Sequence, residues 1–162
     1  MTTTLTPSLS ARLTVEAFLH DYMLTIDSDR LEDWHTFFEE DGTYNVTTRE
    51  NMELGLPLNL MSCEGHGMFK DRIVALRTAN IFEPHVYCHI PGALRVTSIK
   101  GDLVESESSF TIVRTTNGGD MDVFICGRTH DTVRLGKDGP KLKNRTVILD
   151  SRQIDTLLVI PV

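Results

Sequence analysis

The sequence predicts an α+β fold in which N-terminal helices pack on a strongly curved, mainly antiparallel sheet. Apolar residues recur at helical spacing through the first fifty residues, and after Pro84 long β-rich runs follow, separated by turn signals. These runs are about 10 to 15 residues long, against a usual strand length of roughly 5 to 6. A sheet of such long strands must twist and curl, so helices packed in its concave face would form a cone.

Three helices are predicted, the first two in the N-terminal part of the chain. The first has one apolar face, which consists of Val15, Leu19, Tyr22, Met23 and Ile26. The polar residues Asp27-Ser28-Asp29 end this helix, and Asp29 followed by Glu32 resembles a capping box that starts the next. The short second helix presents an inward face of Leu31, Trp34, Phe37 and Phe38.

The third helix and the strands follow from spacing and turn chemistry. The third helix is predicted over Gly67–Asn80, and Pro84 ends it. Thr43–Thr48 is predicted to be extended. Turn signals then divide the strands at Lys100-Gly-Asp102, Asn117-Gly-Gly-Asp120 and Gly136-Lys-Asp-Gly-Pro140. We expect a bulge or bend at Pro91-Gly92, where it would let the sheet curl.

Composition indicates one domain, residues 1–162, of ordinary globular character. Apolar residues make up 40% and charged residues 24% of the chain. The formal net charge of −7 argues against nucleic acid or an anionic membrane as the main partner. The three cysteines are scattered, the N-terminal residues are polar, and no apolar run approaches the length of a membrane span. A reduced, cytoplasmic location is therefore expected.

The octapeptide Glu83–Ile90, EPHVYCHI, places His85 and His89 four residues apart. On a helix both could bind one metal ion, but Pro84 and the β-branched residues favour a strand. On a strand, residues four apart share a face and lie about 13 Å from each other. Because each ligand of a zinc ion lies within about 2.1 Å of it, the pair is not expected to bind one metal.

A catalytic role for single polar residues in the cone is a separate hypothesis. A cavity between sheet and helices could be lined by Tyr22, Asp27, Tyr44, His85 and His89. An Asp or His there could act as a general base if burial moved its pKa towards 7. The alternative, which we favour, is that these groups are hydrogen-bonded core or interface residues.

Three further polar motifs each have a structural interpretation that is favoured. Gly65-His-Gly67 lacks the third glycine of a dinucleotide loop and is interpreted as a helix entrance. The acidic cluster Asp27, Asp29, Glu32 and Asp33 is interpreted as a solvated helix start. Lys141, Lys143 and Arg145 alternate, so they are predicted to share one face, as a charged sheet edge or the rim of an interface.

The segment Leu157–Val162, LLVIPV, is strongly apolar. Each buried Leu, Val or Ile side chain is worth about 1.5–3 kcal/mol, so the segment is not expected to remain in water. We expect it to pack on its own sheet or on another subunit.

Several segments together resemble the small (β) subunits of aromatic-ring-hydroxylating dioxygenases, the Rieske non-heme iron oxygenases. They are IDSDRLEDWHTFFEEDGTYNVTTREN (Ile26–Asn51), GLPL (Gly55–Leu58), MFKDRIVALRTANIFEPHVYCH (Met68–His89) and DSRQIDTLLVIPV (Asp150–Val162). The resemblance covers nearly the whole chain and is strongest to small subunits of the benzoate, anthranilate, salicylate and terephthalate type.

The resemblance implies a cystatin-like or SnoaL-like cone, as in scytalone dehydratase and ketosteroid isomerase. It implies that a large (α) subunit carries the Rieske [2Fe-2S] cluster and the mononuclear Fe(II), and that the small subunit supports an α3β3 assembly with a trimer of small chains. It supplies no catalytic, cofactor-binding or metal-binding residue for this chain, so none is predicted. The leading hypothesis is a non-catalytic structural subunit. The alternative is a stand-alone dehydratase or isomerase with a buried Asp or His in the cone.

Overall fold

The computed structural model describes residues 6–79, 81–151 and 158–162. Its helical elements are α1 (Pro7–Asp27), a 3-10 helix (Leu31–Phe37), α2 (Arg49–Glu53) and α3 (Gly65–Thr78). Thr6 caps α1, because its Oγ1 accepts a hydrogen bond from the Leu9 amide at 3.3 Å, and Pro7 occupies the first helical position. None of the described helices is long and apolar enough to cross a membrane.

One six-stranded sheet forms the other layer. Its strands are β1 (Phe38–Thr48), β2 (Met61–Glu64), β3 (His85–Lys100), β4 (Leu103–Thr116), β5 (Met121–Gly136) and β6 (Gly139–Leu149), in the spatial order β2-β1-β6-β5-β4-β3. The strands β3 to β6 form an antiparallel meander, and β6 then pairs in parallel with β1. The predicted α+β class is confirmed, and so are the long strands, since β3 and β5 each have 16 residues.

The predicted irregularity at Pro91-Gly92 is confirmed as a register shift between β3 and β4, from Pro91 to Leu94. A Cβ on Gly92 would lie 2.1 Å from the Ser109 Oγ and 3.1 Å from the Ser109 carbonyl oxygen, so a larger residue there would force Ser109 to shift. Such shifts bend the strand and strengthen the twist.

The core lies between the concave face of this sheet and the helices. At its centre the fully buried Trp34 packs edge-on against Tyr44 and Phe69, with ring centroids 5.0 and 4.7 Å away. Aromatic pairs of this geometry contribute about 0.5–1.5 kcal/mol beyond the burial of their area. The predicted inward residues Leu31, Trp34 and Phe38 are buried, and Phe37 is partly buried against the core.

The capping-box prediction for Asp29 and Glu32 was wrong. The residue that precedes the 3-10 helix is Arg30, and it makes no side-chain capping bond. Asp29 instead terminates α1, with φ of 55° and with the Schellman bonds Asp29 N–H to Ile26 C=O and Arg30 N–H to Thr25 C=O. A residue at this left-handed position cannot also be the extended N-cap of the next helix.

The predicted third helix is present but begins two residues earlier, at Gly65, whose φ is +71°. The interpretation of Gly65-His-Gly67 as a helix entrance is therefore confirmed. The helix ends at Thr78, and the predicted last residue, Asn80, lies outside the described residues.

The prediction that Lys141, Lys143 and Arg145 share one face of an edge strand was also wrong. Strand β6 lies between β1 and β5, and its pairing with β5 shifts from Thr132–Asn144 to Val133–Leu142. Lys143 is the extra residue of this bulge, so the alternation reverses there and Arg145 faces the interior.

Candidate functional site

The end of α1 is attached to the edge strand β3 by one carboxylate. Asp27 Oδ2 accepts the backbone N–H of His89 at 2.9 Å, and Asp27 Oδ1 lies 2.6 Å from the His89 Nδ1. The His89 N–H points away from β4, so Asp27 satisfies a donor on the free edge of the sheet. A capped edge cannot accept another strand at that position.

This contact also orients the imidazole. A carboxylate only accepts hydrogen bonds, so the His89 Nδ1 carries a proton and donates it to Asp27. The His89 side chain is 2% exposed, and its Nε2 has no hydrogen-bond partner among the described residues. An Asp–His pair of this kind can position a general base.

His85 lies on the same face of β3 as His89, with Tyr87 between them. The Tyr87 ring centroid is 5.0 Å from that of His85 and 6.3 Å from that of His89. The His85 Nδ1–H donates to the Glu83 carbonyl oxygen at 2.7 Å. Within the described residues no group of three or more His, Cys, Asp or Glu side chains is arranged to hold a metal ion.

A cleft of about 230 Å³ lies at the mouth of the cone, beside this strand. Its lining includes Asp27, Arg77, Phe82, His85 and Tyr87. Arg77 is already bound by the Asp29 carboxylate at 2.9 Å and by Glu32 Oε1 at 2.9 Å. Three residues of the predicted acidic cluster therefore have partners of opposite or polar character: Asp27 binds His89, and Asp29 and Glu32 form ion pairs with Arg77.

The interior of the cone is filled by the chain itself. Val162 is 2% exposed, and its N–H and carbonyl oxygen each lie 2.9 Å from the Tyr44 Oη, which accepts from the former and donates to the latter. The Tyr22 Oη reaches the same carbonyl oxygen at 3.4 Å and accepts the Trp34 Nε1–H at 2.9 Å. For the two tyrosines the favoured interpretation, hydrogen-bonded core residues rather than the lining of a cavity, is confirmed.

The apolar segment follows the first of the two courses predicted for it. Residues 158–162 pack inside their own cone, and Arg72 donates to the Leu158 carbonyl oxygen at 2.6 Å. Leu157, the first residue of the predicted segment, lies outside the described residues.

Burial sets the protonation of the two tyrosines. Desolvation raises the pKa of Tyr22 to about 12, opposed by the positive charge of Arg145. Desolvation likewise raises the pKa of Tyr44 well above its usual value, and the negative charge that ionised Tyr22 would carry adds to this. Both phenols remain neutral hydrogen-bond donors near pH 7.

The sequence analysis did not predict a buried ion pair that lies behind Tyr22. The Arg145 Nη1 lies 3.2 and 3.1 Å from the two oxygens of Asp131, and the Arg145 guanidinium covers the Tyr22 ring at 4.5 Å from the centroid. Burial raises the pKa of Asp131, although Arg145 and the Thr129 hydroxyl oppose this. Asp131 lies in the same inward phase of β5 as Thr129 and Val133, the one signal that could have found it.

The comparisons with known proteins agree with one another. The family model for the ring-hydroxylating β subunit matches residues 23–156. The chain is 38% identical over 141 residues to the anthranilate 1,2-dioxygenase small subunit of Burkholderia cepacia, a match that covers 87% of this chain and 88% of that protein.

The chain belongs to the ring-hydroxylating β-subunit family. A terephthalate 1,2-dioxygenase terminal oxygenase component subunit β2, from Comamonas, is 37% identical over 149 residues, 91% of this chain and 96% of that subunit. A crystal structure from Novosphingobium aromaticivorans, of a β subunit assigned to the aromatic-ring-hydroxylating dioxygenases, superposes with a TM-score of 0.87 at 37% identity and covers 95% of this chain and 98% of that one.

The predicted resemblance and fold are thereby confirmed. A structure assigned as a scytalone dehydratase, from the same bacterium, superposes with a TM-score of 0.66 over 88% of this β subunit and 86% of that chain. Its identity is 16%, so it shows the shared cone fold alone. The β subunit is the small subunit of the terminal oxygenase of an aromatic-ring-hydroxylating dioxygenase, and its partner is a large subunit. The alternative of a stand-alone dehydratase or isomerase is not favoured.

Proposed function

We propose that this β subunit is non-catalytic and structural, and that it supports assembly of the terminal oxygenase in the catabolism of an aromatic compound. In the proposed complex, α3β3, a trimer of β subunits contacts large subunits that carry the Rieske [2Fe-2S] cluster and the mononuclear iron. The complex would take electrons from NADH through a reductase and insert O₂ into an aromatic ring. Its proposed location is the cytoplasm.

The occupied cone interior carries this proposal. Val162 reaches Tyr22 and Tyr44 and completes their hydrogen bonds, so it occupies the space between the sheet and the helices in which a substrate would have to bind. A substrate would have to displace a segment whose buried Leu, Val and Ile side chains are worth about 1.5–3 kcal/mol each. Asp27, the carboxylate closest to a catalytic arrangement, already uses both of its oxygens.

The distribution of cysteines supports placing the iron elsewhere. A Rieske cluster needs two cysteines and two histidines around one pair of iron atoms. Cys63 is buried in β2, while Cys88 and Cys126 are exposed on β3 and β5, two strands that β4 separates. The cysteines of this chain are therefore not arranged to bind such a cluster.

Co-expression of this chain with an affinity-tagged copy of its large subunit tests the proposal. We expect the two to co-elute in equal molar amounts, with a native mass equal to three copies of each, and a trimeric mass for the chain purified alone. Failure of the large subunit to retain this chain would overturn the proposed role. A different native mass with both chains retained would overturn the α3β3 stoichiometry only.

A further inference from the structure

One end of the sheet exposes an apolar outer face. Strand β6 ends at Leu149, opposite Gly127, so residues 121–126 of β5 continue beyond it, paired with residues 111–116 of β4, which in turn pair with residues 85–90 of β3. On the outer face of this extension four large apolar side chains are 49–73% exposed: Val86, Ile90, Met121 and Val123. The opposite face of the same strands is buried in the core, so these side chains have no partner layer among the described residues.

A second apolar surface lies at the same end. Strands β1 and β6 end side by side at Thr48 and Leu149, and the segment that follows β1 contains α2 and the loop to β2. In residues 52–60 every second side chain is a large apolar one, 44–64% exposed: Met52, Leu54, Leu56, Leu58 and Leu60. Five exposed side chains of this size within nine residues are a large departure from an ordinary soluble surface.

Hydrogen bonds hold this loop in one conformation. The Leu58 carbonyl oxygen accepts from the Thr47 Oγ1 at 2.8 Å and from the Asn51 Nδ2 at 3.1 Å. The Leu56 N–H donates to the Asn51 carbonyl oxygen at 2.9 Å, and the Leu60 N–H to the Val46 carbonyl oxygen at 2.7 Å. A surface that is ordered before it binds loses little conformational entropy when a partner covers it.

The other end of the sheet is ionic. There Glu107 binds Arg95 at 2.7 Å, and Arg134 binds both Asp102 and Glu39. Such pairs remain hydrated and need no covering partner. Of the five large apolar side chains that are exposed on the described strands, four lie at the first end and one, Ile99, lies at the other. We name the first end the apolar end: loop 52–60 together with strand segments 85–90, 111–116 and 121–126.

We propose that the apolar end is the docking surface for the large subunit, whose matching surface is apolar and bordered by Lys or Arg. This inference rests on the proposed function. A stable interface buries about 800 Å² on each partner, and a partner that covers both the loop and the strand extension meets a larger apolar surface than either provides alone.

The charges around the apolar end favour the large subunit over a second copy of this chain. Exposed carboxylates border it at Glu53, Glu83 and Asp120, while Arg49 and Arg114 are bound to Asp150 and Asp122. A second copy would bring another chain of net charge −7 against this acidic border, whichever of its surfaces it presented. A partner with cations around an apolar surface complements this border.

The test compares pairs of polar substitutions in the complete complex. Leu56→Asn with Leu58→Asn changes the loop, and Met121→Gln with Val123→Thr changes the strand extension. We expect each pair to weaken binding of the large subunit by about tenfold or more, since truncation of a central interface residue commonly costs that much. Binding is measured by titrating the large subunit and quantifying the complex by mass photometry.

Matched controls lie outside the apolar end. Leu24 on α1 is 58% exposed, as is Leu58, and Ile99 near the far end of β3 is 42% exposed. Leu24→Asn and Ile99→Thr should leave the affinity within about twofold of wild type. A charge reversal, Glu53→Lys with Asp120→Lys, should slow association and weaken its dependence on salt.

The outcomes separate this inference from the proposed function. If wild type binds and the apolar-end variants bind equally well, with circular dichroism and melting unchanged, the docking surface is wrong and the structural role stands. If the variants lose only self-association of the isolated chain, the occupant is a second copy and the inference fails. If wild type itself does not bind the large subunit, the proposed function fails.

Discussion

The inside and the outside of the cone differ in whether their side chains find partners within the chain. Inside, polar groups are matched within the chain: Arg145 with Asp131, and Tyr22 and Tyr44 with Val162. Outside, the apolar end leaves Leu56, Met121 and other large side chains in water. A chain whose buried ion pair and buried tyrosines find partners within the chain, and whose exterior exposes large apolar side chains, is suited to assembly. Changes inside should therefore alter stability, and changes at the apolar end should alter binding.

The largest effect is expected at the buried ion pair. Arg145→Met leaves the Asp131 carboxylate buried without its cation and should lower the free energy of unfolding by about 3–5 kcal/mol. Urea unfolding of the purified chain measures this. The control is Asp131→Leu combined with Arg145→Met, which should recover most of the loss because no buried charge remains. A loss below about 1 kcal/mol in the single variant would contradict the pairing.

A pH dependence is expected from Tyr22. Its folded pKa of about 12 exceeds the ordinary value of 10, so the folded state holds its proton where the unfolded state has released it. Stability is full below pH 10 and falls as the pH rises towards 12, by about 2–3 kcal/mol for a shift of this size. Urea unfolding at pH 9 and pH 11 measures about half of this fall, ~1.4 kcal/mol, because Tyr22 is still titrating at pH 11 in the folded state. Tyr22→Phe should reduce it. Equal falls in both proteins would show that Tyr22 is not the source.

A moderate effect is expected where α1 meets the edge strand. Asp27→Asn keeps one acceptor oxygen but loses the charge and one of the two hydrogen bonds to His89, which should cost about 1–2 kcal/mol. Thermal unfolding monitored by circular dichroism measures it. Asp21→Asn, an exposed site on the same helix, serves as the control and should change little. Equal stability of the two variants would show that the contact between Asp27 and His89 does not stabilise the fold.

The smallest effect is expected outside, at the same kind of charge pair. Glu32→Gln removes a carboxylate that lies 2.9 Å from the Arg77 Nε but is 64% exposed. The hydrogen bond from Arg77 holds the pKa of Glu32 below its usual value, so any contribution is present above that value and is lost as pH falls. Because water screens this pair, the loss at pH 7 should stay below about 1 kcal/mol by urea unfolding. A loss as large as that of Arg145→Met would contradict the expectation that exposed ion pairs contribute less to stability than the buried pair.

Local patterns in the sequence were sufficient for much of the fold. Period-two alternation placed His85 and His89 on one strand face, and the helical stripe from Val15 to Ile26 is buried as predicted. The Pro91-Gly92 irregularity was predictable because both residues disfavour a regular ladder. Each of these signals depends on a few consecutive residues.

The errors depend on partners that the local sequence does not specify. The bulge at Lys143 exists only relative to β5 and reverses the face of Arg145. The role of Asp29 was missed because glycine is usual at a left-handed helix end, and its carboxylate is bound by the distant Arg77. The destination of residues 158–162 was left open because apolarity predicts burial but not the surface that provides it.

The residues of the candidate site could be predicted from the sequence, but whether they line a cavity or pack in a core could not. Tyr22, Asp27, Tyr44, His85 and His89 were each placed in or beside the cone. Whether a cavity or a packed core would surround them was decided by Val162, which is 118 residues away from Tyr44 in the sequence.

Turnover per assembled complex tests the central claim most directly. Complexes reconstituted with His89→Gln, which removes the imidazole but keeps a polar side chain, are compared with wild type at equal amounts of large subunit bound. The account predicts the same rate of aromatic oxidation per complex, even where the variant chain itself is less stable. A rate reduced tenfold or more in intact complexes, with wild-type affinity for the large subunit, would show that this chain takes part in the chemistry and would contradict the account.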